Sequence, residues 1–317
     1  MEDVLYKIKS AIFGHAVGDA LGVPVEFTSR EERKASPVTK MIGYGTFPYP
    51  AGTWSDDTSM TLACLDSLAE GINYEDMMVK FCQWFEHAKY TPSDEVFDIG
   101  NATRKSLLLY LLNGVPALEC GQKSEWDNGN GSLMRTIPII LYLTYSTESK
   151  KTISEKIEYI ENASMLTHGH KRSLIGCGIY AFVLFELLKK QDKTSLFKGI
   201  KNAKDFYKNQ PEFEQYCRIF NKDFKTLPEE KIYGDGYVVS CLEAALWCLI
   251  TTDSYKECVL KAVNLGDDTD TTAAVVGGLA GALYGYDSIP KTWINTLKRK
   301  TYINELCENA TRSWVTR

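Results

Sequence analysis

The chain has 317 residues, 44% hydrophobic and 24% charged, and its 36 Lys plus Arg against 41 Asp plus Glu leave a net charge of -5. A mild acidic excess without any run of basic residues excludes nucleic acid as the main partner, because phosphate backbones are held by clustered positive charge. The nine cysteines are scattered and form no CxxC pair, which excludes a disulfide framework and a zinc site and points to a reducing compartment.

Met1 to Ser10 carries charge and no long apolar run, so no secretory leader is expected and the cytoplasm is the expected location. Apolar residues at three- and four-residue spacing then predict a helix over Val4 to Leu21; Gly14, Gly18 and Gly22 recur along it every four residues and mark a close approach of backbones. Glu26 follows in Gly22-Val23-Pro24-Val25-Glu26-Phe27, which reads either as an exposed loop carboxylate or as one whose pKa its apolar neighbours raise by burying it. Val38 to Tyr44 alternates only briefly, and Gly43 to Thr53, rich in Gly, Pro and aromatic residues, reads as a loop. Helical spacing returns over Met60 to Leu68, Met77 to Phe85, Arg104 to Leu112, Ile153 to Leu166, Leu174 to Leu188, Val238 to Ile250 and Ala273 to Leu283. Lys123 to Ser132 and the charged Phe220 to Gly236 interrupt it as loops. The most apolar stretch, Thr271 to Tyr286, falls short of the roughly twenty residues that cross a bilayer, so it predicts a buried helix and no membrane partner. The fold class is all-α, and residues 1–317 are expected to form a single compact domain of orthogonally packed helices.

The chemistry-bearing signal is an echo. Asp-Asp-Thr occurs at Asp56 to Thr58 and again at Asp267 to Thr269, each time where a loop meets an apolar helix. One carboxylate is enough to cap a helix start, whereas adjacent acids repel unless a cation or protons neutralise them. Oxygen-only donors select hard cations, so Ser55, Asp56 and Asp57 are expected to face Asp268, Asp270 and Thr271 around one or two Mg2+ or Mn2+ ions. An EF-hand is excluded, because twelve residues counted from Asp267 or Asp268 end on Gly278 or Leu279 where a Glu is needed. Asn128-Gly129-Asn130-Gly131-Ser132 leads into the apolar Leu133 to Leu141. It reads either as an ordinary turn or as a Gly-rich loop offering backbone N–H groups to a phosphate. His168, after Thr167, reads either as a helix-terminal or ligand-contacting residue or as a plain surface histidine. No GxSxG elbow is present, so acid and base work falls to carboxylates.

Read in order, Gly18-Asp19-Ala20-Leu21-Gly22 with Glu26, Trp54-Ser55-Asp56-Asp57-Thr58, Phe97-Asp98-Ile99-Gly100-Asn101, Asn128-Gly129-Asn130-Gly131-Ser132, Thr167-His168 and Gly266-Asp267-Asp268-Thr269-Asp270-Thr271 closely resemble the ADP-ribosylglycohydrolase family. The resemblance implies a monomeric all-helical hydrolase with a two-Mg2+ centre in a cleft, cleaving the bond between ADP-ribose and an acceptor on a protein or a small conjugate. It implies metal ligands at Ser55, Asp56, Asp57, Asp268, Asp270 and Thr271, and catalytic acids at Glu26, Asp56 and Asp57, with Asp56 or Asp57 activating water and Glu26 assisting from the cleft rim. Asp267 stands where many members have Gly, and is expected as an acid just outside the ligands. Gly129, Asn130, Gly131 and Ser132 would cradle the diphosphate, His168 would touch the nucleotide side, and Gly236 with Tyr237 would line the adenosine end. The segment with Asp98 and Gly100 resembles the arginine-directed branch, where a carboxylate meets the guanidinium. A hydrolase of serine-linked or O-acetyl ADP-ribose and a non-catalytic ADP-ribose binder are the alternatives.

Overall fold

The computed structural model describes residues 1–316. Its helices are α1 (Glu2–Gly22), α2 (Arg30–Ala35), α3 (Asp56–Leu68), α4 (Tyr74–His87), α5 (Asn101–Asn113), α6 (Ile137–Tyr145) and α7 (Ile153–Met165). There follow α8 (Lys171–Lys189), α9 (Lys193–Tyr207), α10 (Val238–Ile250), α11 (Tyr255–Val263), α12 (Thr269–Tyr284), α13 (Lys291–Thr296) and α14 (Lys300–Thr316). Among the described residues no β-strand forms, and the only ladder pairings are two isolated bridges, Gln122 with His168 and Gly129 with Tyr237. The all-α expectation holds, and Val38 to Tyr44 is irregular chain, pinned where Asn264 accepts from the Val38 amide at 2.8 Å and donates to its carbonyl at 3.0 Å.

Helices α1, from Ser10 onward, and α12, from Thr269 to Leu283, are buried on nearly every side, as are α3, α8 and α10. A helix that is apolar all round belongs in the middle of a core. Helices α1 and α12 lie antiparallel against each other, and the spaced glycines make the contact. A Cβ on Gly14 would collide with the Gly277 carbonyl, one on Gly18 with the Ala273 carbonyl, and one on Gly281 with the Ser10 carbonyl. Near the end of the seam Gly22 meets the backbone of Asp270, so the C-terminus of α1 is delivered to the N-terminus of α12.

The N-terminus of α3 arrives at the same point because Asp19, buried on α1, accepts from the Ser55 amide at 2.9 Å, the Thr58 amide at 3.0 Å and the Thr58 hydroxyl at 2.6 Å. Three helix ends therefore converge, two of them carrying carboxylates. Helices α2, α6, α9, α11, α13 and α14 lie outside the segments with helical spacing, and α9 and α14 are the longest of them. Each of these two is polar except for one narrow buried stripe, Leu196, Ile200, Ala203 and Tyr207 on α9 and Ile303, Leu306, Cys307, Ala310 and Trp314 on α14. All nine cysteines are free thiols.

Candidate active site

At the convergence lies a cleft of about 430 Å³, whose walls include Glu26, Asp56, Asp98, Gly100, Gly129, Asn130, Gly131, His168, Gly236, Asp268 and Thr271. Residues predicted from seven separate stretches of sequence thus share one cavity. Ser55, Asp57 and Asp270 lie behind its wall, fully buried, and the two acid clusters are joined there: the Thr271 hydroxyl donates to Asp57 Oδ2 at 3.1 Å, and the Ser55 hydroxyl donates to the same oxygen at 3.1 Å. Asp268 is steered by Asn130, whose side-chain amide donates to Asp268 Oδ2 at 2.8 Å.

Local sequence explains the placement. Ser55 and Asp268 are the N-caps of α3 and α12, accepting from the Asp57 and Thr271 amides, so the following acids occupy first turns where the helix dipole favours negative charge. That favour is too small to hold five acids together. Burial pushes Asp56, Asp57 and Asp270 well above the usual carboxylate range, and their mutual repulsion adds to it. Glu26 is only 3% exposed, set deep in the cleft where the sequence reading put it at the rim; the apolar run before it buries it. Desolvation first, then the charges of Asp98 and Asp268, push its pKa up to about 11. Asp98, hydrogen-bonded to Glu26, is raised to about 6 by burial and by Asp268.

The donor set fits a hard divalent cation. One carboxylate oxygen each from Glu26, Asp268 and Asp270 lie within 4.8 Å of one another. Glu26 Oε2, Asp57 Oδ1 and Asp270 Oδ2 are buried without any hydrogen-bond partner. Anionic oxygens left unpaired in the interior are costly, and an ion ligated only by oxygen removes that cost.

Some predicted residues contribute differently. Ser132 is turned into the core, where its hydroxyl lies 2.8 Å from the Ser164 hydroxyl. The Tyr237 ring lies against the Arg172 guanidinium, 5.8 Å from its centroid, while the chain beside it clamps the Gly-rich loop: the Asn130 amide donates to the Gly236 carbonyl and the Val238 amide to the Asn128 carbonyl, both at 3.0 Å. This loop does not open a helix, since α6 begins only at Ile137, beyond a turn. Asp267 is exposed, with a left-handed backbone (φ 62°), and its peptide groups bond Phe27 and Thr28 at 2.8 Å. The backbone conformation, one that glycine adopts most easily, accounts for this position better than any acidic role.

Asp19 was quoted within a motif without a role, and its signal is a lone acid inside an all-round apolar helix, which must find partners. Phe27 and Trp126 also line the cleft and are 67% and 93% exposed; single exposed aromatics carry no periodic signal.

The ADP-ribosylglycohydrolase family profile matches residues 1–317. The chain is 33% identical over 307 residues to the ADP-ribosylarginine hydrolase Tri1 of Serratia proteamaculans, covering 96% of this chain and 78% of that protein. It is 30% identical over 298 residues to the ADP-ribosyl-(dinitrogen reductase) glycohydrolase of Rhodospirillum rubrum, covering 92% of this chain and 90% of that one. A solved structure described as an ADP-ribosylglycohydrolase-related protein complex superimposes with a TM-score of 0.79 at 30% identity, covering 99% of both chains. The chain belongs to the ADP-ribosylglycohydrolase family. It is a hydrolase that cleaves glycosidic bonds of ADP-ribose conjugates.

Proposed function

We propose that the protein is a Mg2+-dependent ADP-ribosyl-arginine hydrolase that removes ADP-ribose from modified protein side chains. The observation that carries this reading is the joining of the two acid clusters through Thr271 and Asp57 beneath a cleft walled by the Gly129 to Gly131 loop and His168. Arginine as the acceptor is supported by Asp98, a half-buried carboxylate in the same cleft, and by the relatives named for ADP-ribosylarginine.

Ser55, Asp56, Asp57, Asp268, Asp270 and Thr271 would hold two Mg2+ ions, with Mn2+ able to replace them. Bound there, the ions supply positive charge that polarises the vicinal ribose hydroxyls and offsets the repulsion among the acids. Asp98 orients the guanidinium by a bidentate pair. Glu26, beside Asp98, gives its proton to the leaving guanidine nitrogen as the ribosyl C–N bond breaks, and Asp56 or Asp57 takes a proton from the water whose oxygen forms the new bond to that carbon. The Gly129 to Gly131 backbone approaches the diphosphate closely because it lacks side chains.

We further read residues 1–317 as one domain, acting as a monomer. The free cysteines support a reducing cytoplasm, and no helix among the described residues is long and apolar enough to cross a membrane.

The test is release of ADP-ribose from arginine-ADP-ribosylated protein with Mg2+ and then with EDTA, beside serine-linked and O-acetyl substrates. Metal-dependent release from the arginine substrate alone is expected. Preference for another linkage would reject the acceptor. No release from any, with ADP-ribose still bound, would make the protein a binder.

A further inference from the structure

Beside the cleft lies a buried cation without an anion. Arg135 is 2% exposed, and its guanidinium donates to the Ala163 carbonyl at 3.0 Å and to the Thr167 hydroxyl at 2.7 Å, and lies 4.7 Å from the centroid of the Phe81 ring. No carboxylate reaches it within ion-pair distance among the described residues. A buried, unpaired guanidinium is costly to fold around. Its hydroxyl partner is Thr167, which is fully buried and in turn stands 2.8 Å from Nδ1 of His168, and the buried Cys64 thiol lies against the same guanidinium.

The direction of that second bond follows from proton counting. A threonine hydroxyl has a single proton to donate. Arg135 Nη2 can only donate, so Thr167 Oγ1 accepts from it, and the sole neighbour able to take the hydroxyl proton is His168 Nδ1. Were Nδ1 protonated, the Thr167 proton would be left buried without an acceptor, at a cost of about 1–3 kcal/mol. Two N–H dipoles would also point at one oxygen. Nδ1 is therefore the acceptor, and the ring proton sits on Nε2.

Nε2 has no hydrogen-bond partner among the described residues and faces the Gly-rich loop: a Cβ on Gly131 would stand 2.9 Å from the ring's Cε1, and one on Gly129 would stand 3.6 Å from Nε2. The backbone carrying the ring is held at both ends, with the His168 amide donating to the Ser164 carbonyl at 2.8 Å and its carbonyl accepting from the Ser164 hydroxyl at 3.0 Å. The Thr167 carbonyl accepts from the Gln122 amide at 3.0 Å and the Ser106 hydroxyl at 3.1 Å.

We propose that Arg135 and Thr167 are positioning residues that lock His168 in the Nε2–H tautomer, making it a fixed neutral hydrogen-bond donor to an oxygen of bound ADP-ribose. The identity of the ligand rests on the function proposed above; the tautomer does not. A preset donor loses no orientational freedom on binding and needs no protonation step. Burial and the Arg135 charge also hold the His168 pKa down near 3, so the ring stays a single-proton donor at every physiological pH.

The experiment has two arms. In the full-length protein without ligand, ¹⁵N NMR of the imidazoles, assigned among only four histidines, is expected to report an unprotonated Nδ1 and a protonated Nε2 for His168. A protonated Nδ1 overturns the relay, whatever the protein hydrolyses. In the second arm ADP-ribose itself is titrated into wild type, Thr167→Val and Thr167→Ser. The Val variant is expected to bind about tenfold more weakly, as loss of one oriented hydrogen bond implies, and the Ser variant, which keeps the hydroxyl, within about twofold of wild type. Equal affinity for Val and wild type overturns the donor role. If the Val variant fails to fold, Arg135→Lys serves in its place: the single ammonium cannot bond both Ala163 and Thr167, and a wild-type His168 spectrum and affinity in that variant would equally overturn the proposal. Wild-type protein that binds no ADP-ribose would reject the proposed function and the donor role with it, while leaving the tautomer result standing on its own.

Discussion

Asp19 holds Thr58 by two bonds to a single carboxylate oxygen, from the amide at 3.0 Å and from the hydroxyl at 2.6 Å, and so fixes the start of α3 to the end of α1. The residue is an anchor for the ligand-bearing turn, and neither of its oxygens is free for another task.

Asp19→Ala would leave the Ser55 amide, the Thr58 amide and the Thr58 hydroxyl without their acceptor in a buried place. At about 1–3 kcal/mol for each unsatisfied group, the loss is expected to exceed about 3 kcal/mol. Urea unfolding checks it, with Asp19→Asn expected between Ala and wild type because one acceptor oxygen survives. An Ala variant that unfolds at the wild-type midpoint would remove the anchor role.

The metal-free protein should lose stability as pH rises. Asp19 and Asp98 are raised to about 6 and Glu26 to about 11, in each case mainly by burial. A raised folded pKa means that the folded state binds the proton more tightly. The stabilisation is thus complete below about pH 4, the unfolded value, and fades as pH climbs through 6. Mg2+ binds the deprotonated acids and should raise the melting temperature more at pH 8 than at pH 5. Thermal melts in EDTA and in Mg2+ at both pH values decide the matter; a Mg2+ effect independent of pH would contradict it.

Gly18→Ala should be strongly destabilising although alanine is the better helix former. Its Cβ would collide with the Ala273 carbonyl, and overpacking of this kind costs about 1–3 kcal/mol. Because the helices must separate to admit it, Mg2+ affinity is expected to fall together with the denaturation midpoint. Unchanged Mg2+ affinity, read by calorimetry, would show that the seam does not set the site.

Asp98→Ala is expected to reduce turnover of arginine-linked substrate ten- to hundredfold, equivalent to about 1.5–3 kcal/mol for a charged hydrogen bond. O-acetyl-ADP-ribose, which brings no cation, should be affected far less. Parallel kcat/KM measurements provide the comparison, and equal losses on the two substrates would remove Asp98 from acceptor recognition.

What the sequence made legible was what local chemistry enforces. Paired acids at helix starts, small residues at four-residue spacing and a long apolar α12 each have one economical explanation, and the structure has Asp57, Thr271, Gly14 and Gly277 acting accordingly. Helices α9 and α14 stayed hidden because their buried stripes are narrow and interrupted by lysine, threonine and asparagine. Side-chain direction was equally out of reach. Nothing local distinguishes Ser132, turned into the core, from Asn130, turned onto Asp268. Glu26 was expected on an exposed loop or at the cleft rim, yet Val23, Pro24 and Val25 are all buried and draw it inward.

The seam between α1 and α12 also dictates an order of events during synthesis. The first helix to leave the ribosome is apolar on nearly all sides from Ser10 onward, and its glycine face has no partner until α12, close to the far end of the chain, has been made. Such long-range closure is slow and leaves sticky surface waiting. The cleft therefore cannot exist until most of the chain has been made, so a nascent chain stalled before α12 lacks Asp268 and Asp270 and is no catalyst.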